Sequence, residues 1–173
     1  IVDPMENGYY NYRYQVNPNG FFKDQKMANE SDLVEYNFDT SNQLNVPGDW
    51  NTQEDDLFFY EGTVWYKKSF LYSKSDKRAF LYFGAVNYDA KVYLNGEKLG
   101  EHQGGFTPFN FEVTDKVKDG ENFVIVKVDN KRKLEQIPTV NSDWYNFGGI
   151  TRSVKLIEVP QTYVQDYSLQ LKK

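Results

Sequence analysis

The side chains with the most chemistry in a short space lie between Asn141 and Val154, in "NSDWYNFGGITRSV". Asp143 stands beside Trp144, Tyr145, Asn146 and Phe147, and Gly148-Gly149 lets the backbone turn sharply or approach another surface. Arg152 follows. A carboxylate next to aromatic rings can hold a sugar, accepting hydroxyl hydrogen bonds while a ring covers an apolar sugar face. The same residues also suit a loop that plugs one end of a sandwich, with Arg152 in a structural ion pair. On spacing alone both roles stay open.

Other reactive groups give weaker patterns. Glu54, Asp55, Asp56 and Glu61 fall in "NTQEDDLFFYEG". A glycosidase needs two carboxyl groups about 5–10 Å apart across a sugar, whereas adjacent acids on a polar stretch read as a solvated turn. The single His102, in "GEHQGGF", excludes a multi-histidine metal site and has no nucleophile elbow nearby. It is expected on a loop, packing locally. "GEKLGEHQGG" follows a hairpin and opens no helix, so it offers phosphate no helix N-terminus. "DKVKDGEN" has oxygens for calcium but also two lysines. Cysteine is absent, which excludes disulfides, iron–sulfur clusters and thiol nucleophiles. No cofactor and no metal is expected.

The elements that would position these groups are strands. "TVWYKKSFL" is a strand candidate, and "AFLYFG" (Ala79 to Gly84) reads as a strand buried on both faces. In "DAKVYLNGEKLG", Ala90, Val92 and Leu94 alternate with polar neighbours before Asn95-Gly96, a type I′ hairpin signal. "FTPFNFEV" alternates through Phe109, Phe111 and Val113, and Asp119-Gly120 turns the chain into "NFVIVKVDN", with Val124, Val126 and Val128 on one face. "RSVKLIEV" and "TYVQDYSLQL" supply two more strand candidates, and no helical period is sustained. Residues 1–53 are irregular and polar. Short strands spaced by Gly, Asn and Asp turns predict an all-β sandwich or jelly roll.

The totals agree. A chain of 173 residues suits one domain. Aromatics make up 17%, with 14 Tyr and 13 Phe, an enrichment that favours strands. A net charge of −5 with one basic run, Lys131 to Lys133, gives no basis for nucleic-acid binding. No apolar run reaches the roughly 18 residues of a membrane helix. Ile1 to Asn7 lacks the pattern of a signal peptide, and Ile1 reads as a processed or otherwise defined end. Asn29-Glu30-Ser31 is a glycosylation sequon of only three residues, a cheap match.

Five segments occur in order: "VPGDWN" (Val46 to Asn51), "YEGTVWYKKSF" (Tyr60 to Phe70), "VYLNGEKLGEHQGGFTPFNFEVTD" (Val92 to Asp115), "GENFVIVKVDN" (Gly120 to Asn130) and "DWYNFGGITRSV" (Asp143 to Val154). Together they resemble the N-terminal sugar-binding domain of glycoside hydrolase family 2, the family of β-galactosidases, β-glucuronidases and β-mannosidases. The resemblance implies a jelly-roll, galactose-binding-domain-like β-sandwich over residues 1–160, with an irregular segment 1–45 that matches the family poorly. Residues 161–173 would be a linker or the first strand of a following immunoglobulin-like domain. It further implies a TIM barrel beyond this chain that carries two catalytic glutamates in a retaining mechanism, so that no catalytic residue lies in this chain.

By the same resemblance Asp143 contacts substrate, with Trp144 and Asn146 as neighbouring substrate-binding residues, and Arg152 and the two glycines are structural. The implied partners are a carbohydrate substrate, the downstream domains of the same polypeptide and a homo-oligomer of the full enzyme. "DWYNFGGITRSV" leans toward the glucuronidase branch, and the resemblance favours a periplasmic or otherwise extracytoplasmic setting. The alternatives are a stand-alone carbohydrate-binding module and a structural sandwich for domain packing or oligomerisation.

Overall fold

The computed structural model describes residues 1–6, 8 and 38–172. Most of segment 1–45, including the sequon Asn29-Glu30-Ser31, lies outside the described residues. The described chain is built from ten strands: β1 (Val2–Asp3), β2 (Gly48–Asp49), β3 (Thr63–Tyr72), β4 (Arg78–Phe83), β5 (Asp89–Leu94), β6 (Glu97–Gln103), β7 (Phe109–Glu112), β8 (Gly120–Asp129), β9 (Gly149–Ile150) and β10 (Val154–Val159). Among the described residues the helical elements are two single 3-10 turns, Phe38–Thr40 and Asp55–Leu57.

Three antiparallel sheets result, in the orders β1-β3-β8-β5-β6, β10-β4-β7 and β2-β9. The first two pack face to face as a jelly-roll β-sandwich. Their apolar inner positions follow the period-2 alternation of strands. Val64, Ala90, Val92, Leu94, Val124, Val126 and Val128 come from one sheet, and Ala79, Leu81 and Phe83 from the other. Phe83 and Phe109 stack at 4.9 Å in this core. The opposite face of the large sheet is also covered, where Trp65, Phe123 and Ile125 form a second cluster. Both faces of β8 are therefore buried, which explains its nearly unbroken apolar run.

The β5–β6 hairpin forms as expected, with Asn95 and Gly96 at φ 50° and 91°. Asn95 is also a buried anchor: it donates to the Lys116 carbonyl (3.1 Å) and Asn122 Oδ1 (2.7 Å) and accepts from the Phe123 amide (3.1 Å). Gly120, at φ 88°, starts β8 as the turn reading placed it.

Four expectations need correction. The β4 run Ala79 to Phe83 is buried on one face only: Ala79, Leu81 and Phe83 are inside, while Phe80 and Tyr82 are half-buried on a face that no further sheet covers among the described residues. The strand expected in Tyr163 to Leu171 does not form. Tyr163 packs on Phe80 (5.7 Å) and the Arg78 guanidinium (5.1 Å), after which the backbone finds no neighbouring strand among the described residues, and Tyr167, Leu169 and Leu171 are exposed. His102 lies on β6 rather than a loop, although it does pack locally, stacked 4.1 Å from Phe109. The described part of residues 1–53 is not all irregular: β1 and β2 join sheets, and Trp50 is fully buried in the main core.

Candidate functional site

The Asp143 loop runs between β8 and β9 and is held from beneath by side-chain amides. Gly62 donates to Asn130 Oδ1 (2.8 Å), Asn130 Nδ2 donates to the Asn146 carbonyl (2.7 Å), and Asn146 Nδ2 donates back to the Asn130 carbonyl. Asn87 Nδ2 donates to Asn146 Oδ1 (3.0 Å) and to the Phe147 carbonyl (2.6 Å), and Gly148 donates to Asn51 Oδ1 (2.8 Å). All four asparagines are buried. Backbone carbonyls and amides removed from water need such partners, because each left unmet costs about 1–3 kcal/mol.

The two glycines allow this close approach. A Cβ on Gly148 would lie 2.0 Å from Trp50 Cζ2, and one on Gly149, at φ 142°, would lie 2.7 Å from the Gly48 carbonyl oxygen. Trp50 seals the base of the loop, donating its backbone amide to the Gly148 carbonyl (2.9 Å) and its indole N–H to the Tyr60 carbonyl (3.2 Å). Beneath Gly149 the Tyr66 hydroxyl is buried without a hydrogen-bond partner among the described residues, and burial raises its pKa.

The loop's upper side carries Arg132. Its Nη1 donates to the Ser142 carbonyl, its Nη2 to the Trp144 carbonyl (2.8 Å) and its Nε to Glu61 (2.8 Å). Asp143 sits between those two carbonyl residues. It is exposed, and its carboxylate makes no hydrogen bond or ion pair among the described residues. A cleft of about 360 Å³ opens here, lined by Asp143, Trp144, Glu61, Arg132 and the rings of Phe58 and Phe147, among others. Phe59, Phe58, Tyr145 and Phe147 form a connected series of rings with centroids 4.8, 5.8 and 5.4 Å apart.

Of the three residues expected to bind substrate, Asp143 and Trp144 face solvent at this cleft. Asn146 lines the same cleft, but both ends of its side-chain amide are engaged with Asn130 and Asn87. Arg152 makes no structural ion pair among the described residues; it donates to the Phe106 carbonyl at 3.2 Å. Asp55 and Asp56 are exposed on the 3-10 turn as a solvated acidic turn should be, while Glu61 is drawn into the cleft by Arg132. Arg132, Asn130, Asn87 and Phe58 were not singled out from sequence. Asn130 had a local signal, a polar residue closing the apolar run of β8; the others meet the loop only through the fold.

The site is thus an exposed acid on an anchored aromatic loop of an all-β sandwich. Comparison with known proteins identifies the class. Residues 7–160 match the model for the sugar-binding domain of glycosyl hydrolases family 2, a span that takes in most of segment 1–45, which was expected to match poorly, and the chain belongs to that family. It is 37% identical over 135 residues to a β-glucuronidase of Bacteroides fragilis, covering 73% of this chain and 19% of that protein. It is 35% identical over 151 residues to a β-galactosidase of Thermoanaerobacter pseudethanolicus, covering 79% of this chain and 20% of that protein. The chain thus spans about a fifth of the length of these curated relatives. Among solved structures, a Bifidobacterium dentium β-glucuronidase complexed with coumarin-3-O-glucuronide superposes with a TM-score of 0.67 at 27% identity, covering 92% of this chain and 28% of that one.

Proposed function

We propose that this chain is the first, non-catalytic domain of a retaining β-glycosidase that removes terminal β-linked sugars, a β-glucuronide or a β-galactoside. The two catalytic glutamates would lie on a TIM barrel elsewhere in the same polypeptide. Asp143 supplies a loop acid to that active site, accepting sugar hydroxyl hydrogen bonds, and Trp144 borders the same space. Asn146 serves the substrate indirectly, by fixing the loop's inner side.

One observation carries this reading: the Asp143 carboxylate is free among the described residues while the backbone on both sides of it is held. The choice between a β-glucuronide and a β-galactoside is suggested by relatives named β-glucuronidase and β-galactosidase. The test is Asp143→Ala and Asp143→Asn in the full-length enzyme. Hydrogen bonds to a charged group contribute about 1.5–3 kcal/mol, so kcat/KM should fall by roughly 10- to 100-fold with the fold intact. Turnover at the wild-type rate in both variants would overturn the reading.

A further inference from the structure

We infer that Arg132, with Glu61 as its counter-ion, is the positioning residue for Asp143. The inference rests on the reading that Asp143 faces substrate. The Arg132 guanidinium grips the carbonyls of Ser142 and Trp144, the residues immediately before and after Asp143. A planar group with donors at fixed angles holds two carbonyls in one relative orientation; a lysine ammonium on a flexible stem does not. The fork is itself fixed at both ends. Arg132 follows Asn130 just past β8, and its Nε bonds Glu61, which precedes Gly62 and β3. Asn130 ties Gly62 to the same frame at 2.8 Å. The loop apex is thus referred to the β3–β8 ladder.

Charge explains why Glu61 belongs to the device. An unneutralised guanidinium beside the loop would draw the Asp143 carboxylate onto itself and compete with any ligand. Glu61, at 2.8 Å from Nε, satisfies that charge instead. The backbone of Asp143 is held and its carboxylate stays available. An acid presented in this way needs no ordering when substrate arrives, and small misplacements at a reacting site can lower rates by about 100-fold.

The substitutions that test this are Arg132→Lys, which keeps the charge and loses the fork, and Glu61→Gln, which removes the counter-charge. In the 173-residue chain, hydrogen exchange of the loop amides that donate hydrogen bonds, Ser142 to the Thr139 carbonyl and Gly148 to Asn51, should accelerate in Arg132→Lys while the β3 and β8 amides keep wild-type protection. In the full-length enzyme, kcat/KM of Arg132→Lys should fall by roughly 10-fold or more. The double variant Arg132→Lys/Asp143→Ala should be no worse than Asp143→Ala alone, because both act through one carboxylate. Glu61→Gln should give a smaller loss by the same route. Unchanged exchange over the loop, or losses that multiply in the double variant, would overturn the inference. Normal turnover in Asp143→Ala would instead remove the substrate role of Asp143, and the exchange result would still decide whether Arg132 holds the loop.

Discussion

Asn130 and Asn146 hold each other by reciprocal hydrogen bonds, each side-chain amide donating to the other's backbone carbonyl. Sixteen residues separate them, and the loop they close carries Asp143. The exchange is entirely neutral, so the inner side of the loop keeps its geometry whatever the salt concentration.

Asn130→Ala should therefore be costly although no charge and little volume is lost. It orphans the Gly62 amide and the Asn146 carbonyl, both in buried surroundings. Unmet buried groups of this kind predict a loss of about 3 kcal/mol. A lower urea midpoint with an unchanged slope would show it; a change below about 1 kcal/mol would mean that other partners take over.

Two glycines separate steric from conformational cost. Gly148→Ala places a Cβ 2.0 Å from the Trp50 ring and 2.6 Å from Asn130 Nδ2, and Trp50 is fully buried with nowhere to move. The expected cost exceeds about 3 kcal/mol. Gly120→Ala meets nothing within 4 Å, but its φ of 88° is a backbone conformation that L residues avoid, at about 1–2 kcal/mol. Chemical unfolding of the two variants should rank them in that order, and the reverse order would refute the packing account.

Acid should loosen the small sheet through Glu112. This side chain takes a bidentate pair from Arg78 at 2.9 and 2.6 Å, joining β7 to β4. Arg78 holds its pKa down from the ordinary 4.5 to about 2. Because the folded value is the lower one, the pair stabilises above pH 4.5 and its contribution is lost as pH falls from 4.5 toward 2. Both side chains are exposed to solvent, so the effect is a modest one. Glu6, held to about 2 chiefly by its hydrogen bond with Lys131, titrates in the same window. The informative comparison is thus wild type against Glu112→Gln: the variant's urea midpoint should fall less steeply between those pH values, and parallel curves would exclude the pair as a contributor.

Titration of the 173-residue chain with a simple glucuronide or galactoside should give an affinity no tighter than about millimolar. Few contacts at an open cleft cannot offset the cost of ordering a polar ligand. Micromolar binding that disappears in Trp144→Ala or Tyr145→Ala would point to a stand-alone carbohydrate-binding module.

How far the sequence could be read depended on range. The β5–β6 hairpin was legible because Asn95-Gly96 and the alternation around it are local. The strands of the sandwich were legible for the same reason, from Val92 to Val128. Asp143 stood out by its aromatic company. Arg132 and Asn87 did not, since each meets the loop 10 or more residues away, through the packing of separate strands. Tyr163 to Leu171 shows the converse: its alternation is strand-like, but a strand exists only where a neighbour accepts its hydrogen bonds. β1 and β2 are two residues each, too short for any period to register.

The Asn95-Gly96 turn has a bearing on how the protein ages. Asparagine followed by glycine is the pair most prone to lose its side-chain amide, because the next backbone nitrogen can attack the side-chain carbonyl carbon and close a ring. In the folded hairpin that carbonyl oxygen accepts from the Phe123 amide and the NH2 group is spent on Lys116 and Asn122. The attack must wait until the hairpin opens. Conversion of Asn95 to aspartate and isoaspartate is therefore expected to be slow in stored protein, at a rate set by how often the hairpin opens.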